Sequence, residues 1–169
     1  VSPNRLADAK KYLAELIKYP NNTSYNKFVL LECPWCMQKL SPNGYKFIKK
    51  TFKFVCPNEQ CNFSGIDAPL PIMVVDDQIY ETPPTLLLGT IDKFASLPWV
   101  PASISMLNKE GYSSPDLIIQ DEMHLISGPI GSIAGMYEIF INALTGKTIS
   151  NKTIYAKIIG STATISRAE

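Results

Sequence analysis

The stretch "DLIIQDEMHLISGP", residues 116–129, decides how the chain is read. Leu117, Ile118 and Ile119 form a short apolar run of the kind that fills a buried strand. Directly after it come Gln120, the adjacent carboxylates Asp121 and Glu122, and the only histidine of the chain, His124. In open α/β sheets ligands bind outside the carboxyl ends of the strands. A carboxylate placed there can hold Mg²⁺ beside nucleotide phosphates. Its neighbour can orient the water that attacks a γ-phosphate, because phosphoryl transfer is mostly positioning and charge stabilisation. Side chains alternate along a strand, so both carboxylates reach one site only if the chain turns at Glu122. Gly128 and Pro129 fit a loop shortly downstream. The competing reading is local, with Asp121 and Glu122 capping the next helix and His124 at the surface.

The neighbouring segments set that strand in an α/β context. "TLLLGTIDKFASL" (85–97) reads as an apolar strand, a turn at Gly89-Thr90 and a short helix from Asp92. "SIAGMYEIFINALTG" (132–146) reads as a helix with Gly146 as its C-cap. "KIIGSTATISRAE" (157–169) reads as a further strand ending in hydroxyls. Three apolar runs joined by helical stretches predict a mostly parallel sheet. Upstream, Leu6, Ala9, Leu13, Leu16 and Ile17 keep the spacing of an amphipathic helix that Pro20 ends. "LPIMVVDDQIY" (70–80) reads as another strand.

The four cysteines are grouped. Cys33-x₂-Cys36, a run containing "SPNG" and "YKFIKKTFKFVC", and Cys56-x₄-Cys61 place two thiol pairs on two turns joined by a β-hairpin. Tetrahedral Zn²⁺ takes four such soft ligands, and a closed four-thiolate shell makes the metal structural. "CPWC" also mimics a redox motif, but a second cysteine pair and turn chemistry four residues on favour metal. Between the pairs, Lys46, Lys49, Lys50 and Lys53 interleave with Tyr45, Phe47, Phe52 and Phe54. Two readings stand: a nucleic-acid stacking face, or a solvated face opposite a packed one. Trp35 and Trp99 read as packing residues.

Three of these segments carry a family resemblance. "LIIQDEMH" resembles motif II, the DExH box, of superfamily 2 helicases, "GSTATI" (160–165) resembles their motif III, and "PTLLLGTIDKF" (84–94) resembles the strand and turn of motif Ib. Taken with the cysteine-rich segment, "TPPTLLLGTIDKFASLPW", "DLIIQDEMHLISGPIGS" and "STATI" are similar to the helicase-like protein of DISARM phage-defence systems, from about Cys33 to Ala168. The resemblance implies part of a RecA-like (P-loop NTPase type) lobe with a small zinc-ribbon-like insert. It divides the chain into 1–27 (N-terminal helix and loop), 28–66 (the four-cysteine insert) and 67–169 (the later part of the lobe). It assigns Asp121 to Mg²⁺, Glu122 to the hydrolytic water, and His124 to coupling between the nucleotide site and motif III or a second lobe. Thr162 and Thr164 would transmit that coupling, and Thr90 and Lys93 would contact the nucleic-acid backbone. Ile91 and Asp92 depart from the Thr-Pro-Gly-Arg pattern of motif Ib. ATP and Mg²⁺ are the implied cofactors besides Zn²⁺. Nucleic acid, with DNA as the expectation, and other defence-system proteins are the implied partners.

Turnover of ATP in this class needs a Gly-rich loop ending in Gly-Lys-Ser/Thr, after a strand and opening a helix. "LTGKTIS" (144–150) holds Gly146-Lys147-Thr148, but Ile141 stands where the first glycine belongs, and the segment follows a helical run. The stretch is therefore expected to be a fragment inactive by itself. A net charge of +1 gives no global case for nucleic acid. No apolar run approaches the ~18 residues of a membrane span, and no secretory leader pattern opens the chain, so a cytoplasmic protein with no membrane partner is the expectation. The alternative is a non-enzymatic, zinc-dependent nucleic-acid or protein-binding module on a degenerate α/β platform.

Overall fold

The computed structural model describes residues 3–20, 26–95, 97–122 and 129–162. The chain divides into two compact units, Val1–Pro84 and Thr85–Glu169.

The first unit holds helix α1 (Leu6–Lys18), the hairpin β1 (Tyr45–Ile48) and β2 (Thr51–Phe54), and helix α2 (Asp76–Glu81). The antiparallel register pairs Tyr45 with Phe54, Lys46 with Lys53, Phe47 with Phe52 and Ile48 with Thr51. Alternation puts the four aromatics on one face and the lysines on the other. On the aromatic face Phe28 stacks on Tyr45 at 4.7 Å and on Phe52 at 4.6 Å, while Phe54 meets Phe52 edge-on at 5.2 Å. Ala9 and Leu16 of α1 are buried in the same core, as the helical spacing predicts. Offset and edge-to-face rings add about 0.5–1.5 kcal/mol per pair beyond their buried area, so this cluster strengthens the unit's core.

Long-range bonds tie α2 into that core. The Gln78 side chain is buried, its Oε1 accepts from the Phe52 N–H at 3.2 Å, and its Nε2 donates to the Phe52 carbonyl at 3.1 Å. One side-chain amide thus stands in for a neighbouring strand on the open edge of β2. The Leu70 N–H covers the next position by donating to the Phe54 carbonyl at 2.8 Å. Asp77 accepts the Leu6 N–H at 3.0 Å, capping α1 from 71 residues away where Arg5 supplies no side-chain cap. The strand expected over 70–80 is therefore a bridge at Leu70 followed by a helix. The β-branched pair Val74-Val75 suggested strand, but Asp76 and Asp77 complement a helix N-terminus.

The second unit holds helix α3 (Ile91–Ala95), strand β3 (Leu117–Gln120), helix α4 (Pro129–Thr145), the hairpin β4 (Lys147–Ile149) and β5 (Lys152–Ile154), and strand β6 (Lys157–Gly160). β3 and β6 run parallel, with Leu117 opposite Lys157 and Gln120 opposite Gly160. A parallel pair needs a crossover connection, and α4 with the β4–β5 hairpin supplies it. Among the described residues the parallel sheet has these two strands. Residues 85–88, read as a strand, are irregular, with Leu86 and Leu88 exposed. Ile119, Ile158 and Ile159, expected inside, are exposed as well.

Gly146 follows α4, but its backbone is not left-handed, so the C-cap rationale does not apply. A Cβ there would lie 3.2 Å from the Tyr155 ring and 3.4 Å from the Thr153 methyl, so close packing explains the glycine. Lys147 begins a strand rather than a helix and pairs with Asp116 at 2.7 Å. Both facts remove it from a phosphate loop. No helix among the described residues is long and apolar enough to cross a membrane.

Candidate functional site

Two clusters carry chemistry, one in each unit. In the first, a turn after residue 32 returns the chain so that the Cys33 N–H bonds the Gln38 carbonyl and the Met37 N–H bonds the Cys33 carbonyl, both at 2.8 Å. Met37 takes a left-handed backbone (φ 61°) to close this knuckle. The second knuckle is held by Cys56 N–H to Phe63 carbonyl at 2.8 Å and Cys61 N–H to Asn58 carbonyl at 2.9 Å. The hairpin sets the two knuckles against each other. All four Sγ atoms lie within 4.8 Å of one another, with Cys33–Cys61 at 3.9 Å and Cys36–Cys56 at 3.5 Å. The thiols are free, at separations far beyond the ~2.05 Å of a disulfide.

The donor set fits Zn²⁺. A tetrahedron with Zn–S of about 2.3 Å has S···S edges of roughly 3.8 Å; the Cys33–Cys61 and Cys36–Cys56 pairs stand within tenths of an ångström of that edge, and all four sulfurs lie within 4.8 Å. Cys36 is pulled down to about 7, chiefly by the Gln38 backbone N–H at its sulfur. Burial pushes Cys56 up to about 12, and the neighbouring thiols raise it in the same direction. Cys61 is also raised: the Phe63 N–H favours its thiolate, but burial and the thiols of Cys36 and Cys33 outweigh that. Sequence reading missed Asn58. Its Nδ2 lies 3.8 Å from the Cys36 sulfur while its Oδ1 accepts the Gln60 N–H at 3.0 Å, so it steers one ligand of the cluster. A polar residue two positions after Cys56 was the available signal.

The second cluster sits at the carboxyl ends of the parallel pair. The Ser161 N–H bonds the Gln120 carbonyl at 2.8 Å, extending the ladder one step past the strands. The Ser161 hydroxyl then donates to Asp121 Oδ1 at 2.7 Å, and the Glu122 N–H donates to the same oxygen at 2.9 Å. Glu122 has φ 55°, a left-handed backbone that is uncommon outside glycine and is found at functional turns. Glu122 is thus where the backbone departs from the extended conformation of β3. Asp121 and Glu122 are both exposed. Ser161, which bonds Asp121, was not singled out from the sequence; its signal was its place between Gly160 and the Thr162–Thr164 triplet.

The structure brings Asp121 to the residue preceding Thr162, which is half-buried. Thr90 and Lys93 sit at the start of α3, where the Lys93 N–H bonds the Thr90 carbonyl at 3.0 Å. His124 and Thr164 lie outside the described residues. Trp35 and Trp99, read as packing residues, are exposed, although Trp35 keeps an edge contact to Phe63 at 5.8 Å. Tyr45, Phe52 and Phe54 are buried in the core and present no stacking face.

No family model matches the chain. The chain is 35% identical over 179 aligned positions to the DISARM protein DrmA of Bacillus paralicheniformis, an alignment covering 83% of this chain and 16% of that protein. The chain is thus related to a DISARM protein and spans about a sixth of that relative's length.

Proposed function

We propose that the chain is part of the motor lobe of an ATP-dependent superfamily 2 DNA helicase or translocase acting in phage defence, with its first unit held by a structural Zn²⁺. The relationship to a DISARM protein supports the defence role. One observation carries the motor reading. At the carboxyl ends of two adjacent parallel strands, Ser161 fixes Asp121 at 2.7 Å while the backbone turns at Glu122. In that arrangement Asp121 holds Mg²⁺ on ATP, Glu122 orients the attacking water, and Ser161 with Thr162 reports the nucleotide state to the neighbouring strand. Thr90 and Lys93 contact the nucleic-acid backbone, and His124 and Thr164 complete the coupling. Cys33, Cys36, Cys56 and Cys61 hold Zn²⁺, which closes their shell and supplies folding energy rather than catalysis.

These 169 residues contain no Gly-rich phosphate loop, so they do not turn over ATP by themselves. The test uses a protein of the relative's length that carries them. Glu122→Gln keeps shape and loses the charge that polarises water, so ATP turnover falls at least a hundredfold while ATP affinity stays within about threefold. Unchanged turnover sinks the motor reading. One observation favours the rival, a non-enzymatic zinc-dependent binding module: the four-thiol set is complete in the chain, whereas a phosphate cradle is not. Absence of any ATP turnover in the longer wild-type protein would decide for the module.

A further inference from the structure

We propose that the outer face of the β1–β2 hairpin, carrying Lys46, Lys49, Lys50 and Lys53, grips the phosphates of a nucleic-acid strand. The hairpin keeps these four cations together in two ways that work against its own stability. Lys46 lies directly opposite Lys53 in the antiparallel register, and like charges at facing positions destabilise a strand pair. The two-residue turn is built from Lys49 and Lys50, at φ 48° and 70°. Positive φ at both central residues is the geometry for which Asn-Gly is the favoured pair, and lysine is a poor occupant. The second hairpin of the same chain makes the same kind of turn with Ser150 and Asn151, at φ 50° and 63°. The chain therefore can place a better-suited residue in such a turn, and at 49–50 it places two lysines.

None of the four has an ion pair among the described residues. Over 27–66 six lysines (27, 39, 46, 49, 50 and 53) face two carboxylates, Glu32 and Glu59, although the whole chain is nearly neutral at +1. Over the whole first unit ten basic residues stand against eight acidic ones, so the positive excess belongs to the hairpin segment and not to the unit. Sheet alternation fixes its direction: the aromatics turn inward to Phe28 and α1, leaving Lys46 and Lys53 on the opposite face with Ile48 and Thr51. The Thr51 hydroxyl is spent on the Ile48 carbonyl at 2.6 Å. A face of ammonium groups without exposed aromatics reads charge, not bases, so it contacts the backbone and is insensitive to sequence. A lipid surface would need apolar side chains beside the cations, and this face offers only half-buried Ile48. The choice of nucleic acid over another polyanion rests on the motor reading above.

The test follows anisotropy of a fluorescein-labelled oligo-dT 20-mer with the whole 169-residue chain in Zn²⁺-supplemented buffer. Four phosphate contacts give a slope of log affinity against log salt of about −3, a loss of roughly fiftyfold between 50 and 200 mM. Lys46→Gln with Lys53→Gln, or Lys49→Asn with Lys50→Gly, makes that slope shallower by about 1.4, and all four together by about 2.8, leaving only what Lys93 contributes. The Asn-Gly pair also raises Tm, by about 4 °C or more, because it relieves the turn while removing the charge. A fourfold variant with the wild-type slope overturns the proposal. So does an Asn-Gly variant that lowers Tm, since the lysines would then serve the fold. Tighter binding of polyglutamate than of the oligonucleotide overturns the choice of partner. Glu122→Gln leaves the salt slope untouched, so a failed motor reading shows in ATP turnover and a failed phosphate face shows here.

Discussion

If the four-thiol cluster holds Zn²⁺ as proposed, removing the ion should unfold the first unit and spare the second. Single-domain stability of about 0.05–0.15 kcal/mol per residue gives roughly 4–13 kcal/mol for the span Val1–Pro84. Structural zinc bound by short cysteine units contributes apparent free energies of about 10–16 kcal/mol. Cys33, Cys56 and Cys61 are buried in the same core as Phe28, Phe52 and Phe54, so the sulfurs cannot part without opening the aromatic cluster. The metal contribution is of the same size as the unit's whole stability, which makes unfolding the expected result rather than local loosening. The assay combines zinc analysis with hydrogen exchange before and after chelation. One zinc ion per chain is expected. On its removal, or in Cys56→Ser, protection is lost across β1, β2 and the knuckles, while the amides of β3 and β6 keep theirs. A metal-free chain whose hairpin amides exchange as slowly as before would refute the reasoning.

Other perturbations read the packing. Phe52→Ala removes the ring that touches Phe28, Phe47 and Phe54, and costs about 3–5 kcal/mol in urea denaturation of the first unit. Gln78→Ala leaves the buried N–H and carbonyl of Phe52 without their shared partner and costs about 2–4 kcal/mol by the same measurement. Gly146→Ala places a methyl 3.2 Å from the ring of Tyr155, which is exposed and free to give way, at a backbone that is not left-handed. The second unit, read from its Tm, therefore loses less than the cost of overpacking a closed core, about 1–3 kcal/mol.

What could be read from the sequence was what local spacing determines. The Cys-x₂-Cys and Cys-x₄-Cys pairs fixed which four sulfurs could meet, since a knuckle is a few residues long and the hairpin between them has its own alternation. The helix over Leu6–Lys18 follows from its apolar spacing, and the parallel pairing of 117–120 with 157–160 follows from two apolar runs separated by a helix. Long-range partners were not legible. Nothing near Gln78 announces that its amide will serve the backbone of Phe52, and nothing near Leu6 announces Asp77. The leucines at 86–88 form an apolar run, but a strand also needs a neighbour, and an apolar run alone does not name one. At the carboxylate site the required turn at Glu122 was legible as a condition, whereas the Ser161 hydroxyl depended on strand register. The lysines of 46–53 were legible as a charged run, but the turn geometry that makes them costly appears only in the backbone.

The most direct test of the nucleotide reading is the Mg²⁺ requirement of ATP turnover in a protein of the relative's length carrying this stretch. If Asp121 holds the ion, Asp121→Asn raises the Mg²⁺ concentration for half-maximal turnover at least tenfold. Ser161→Ala, which removes one hydrogen bond from Oδ1, then raises it by a smaller factor. Identical Mg²⁺ titrations for wild type and Asp121→Asn would contradict the account.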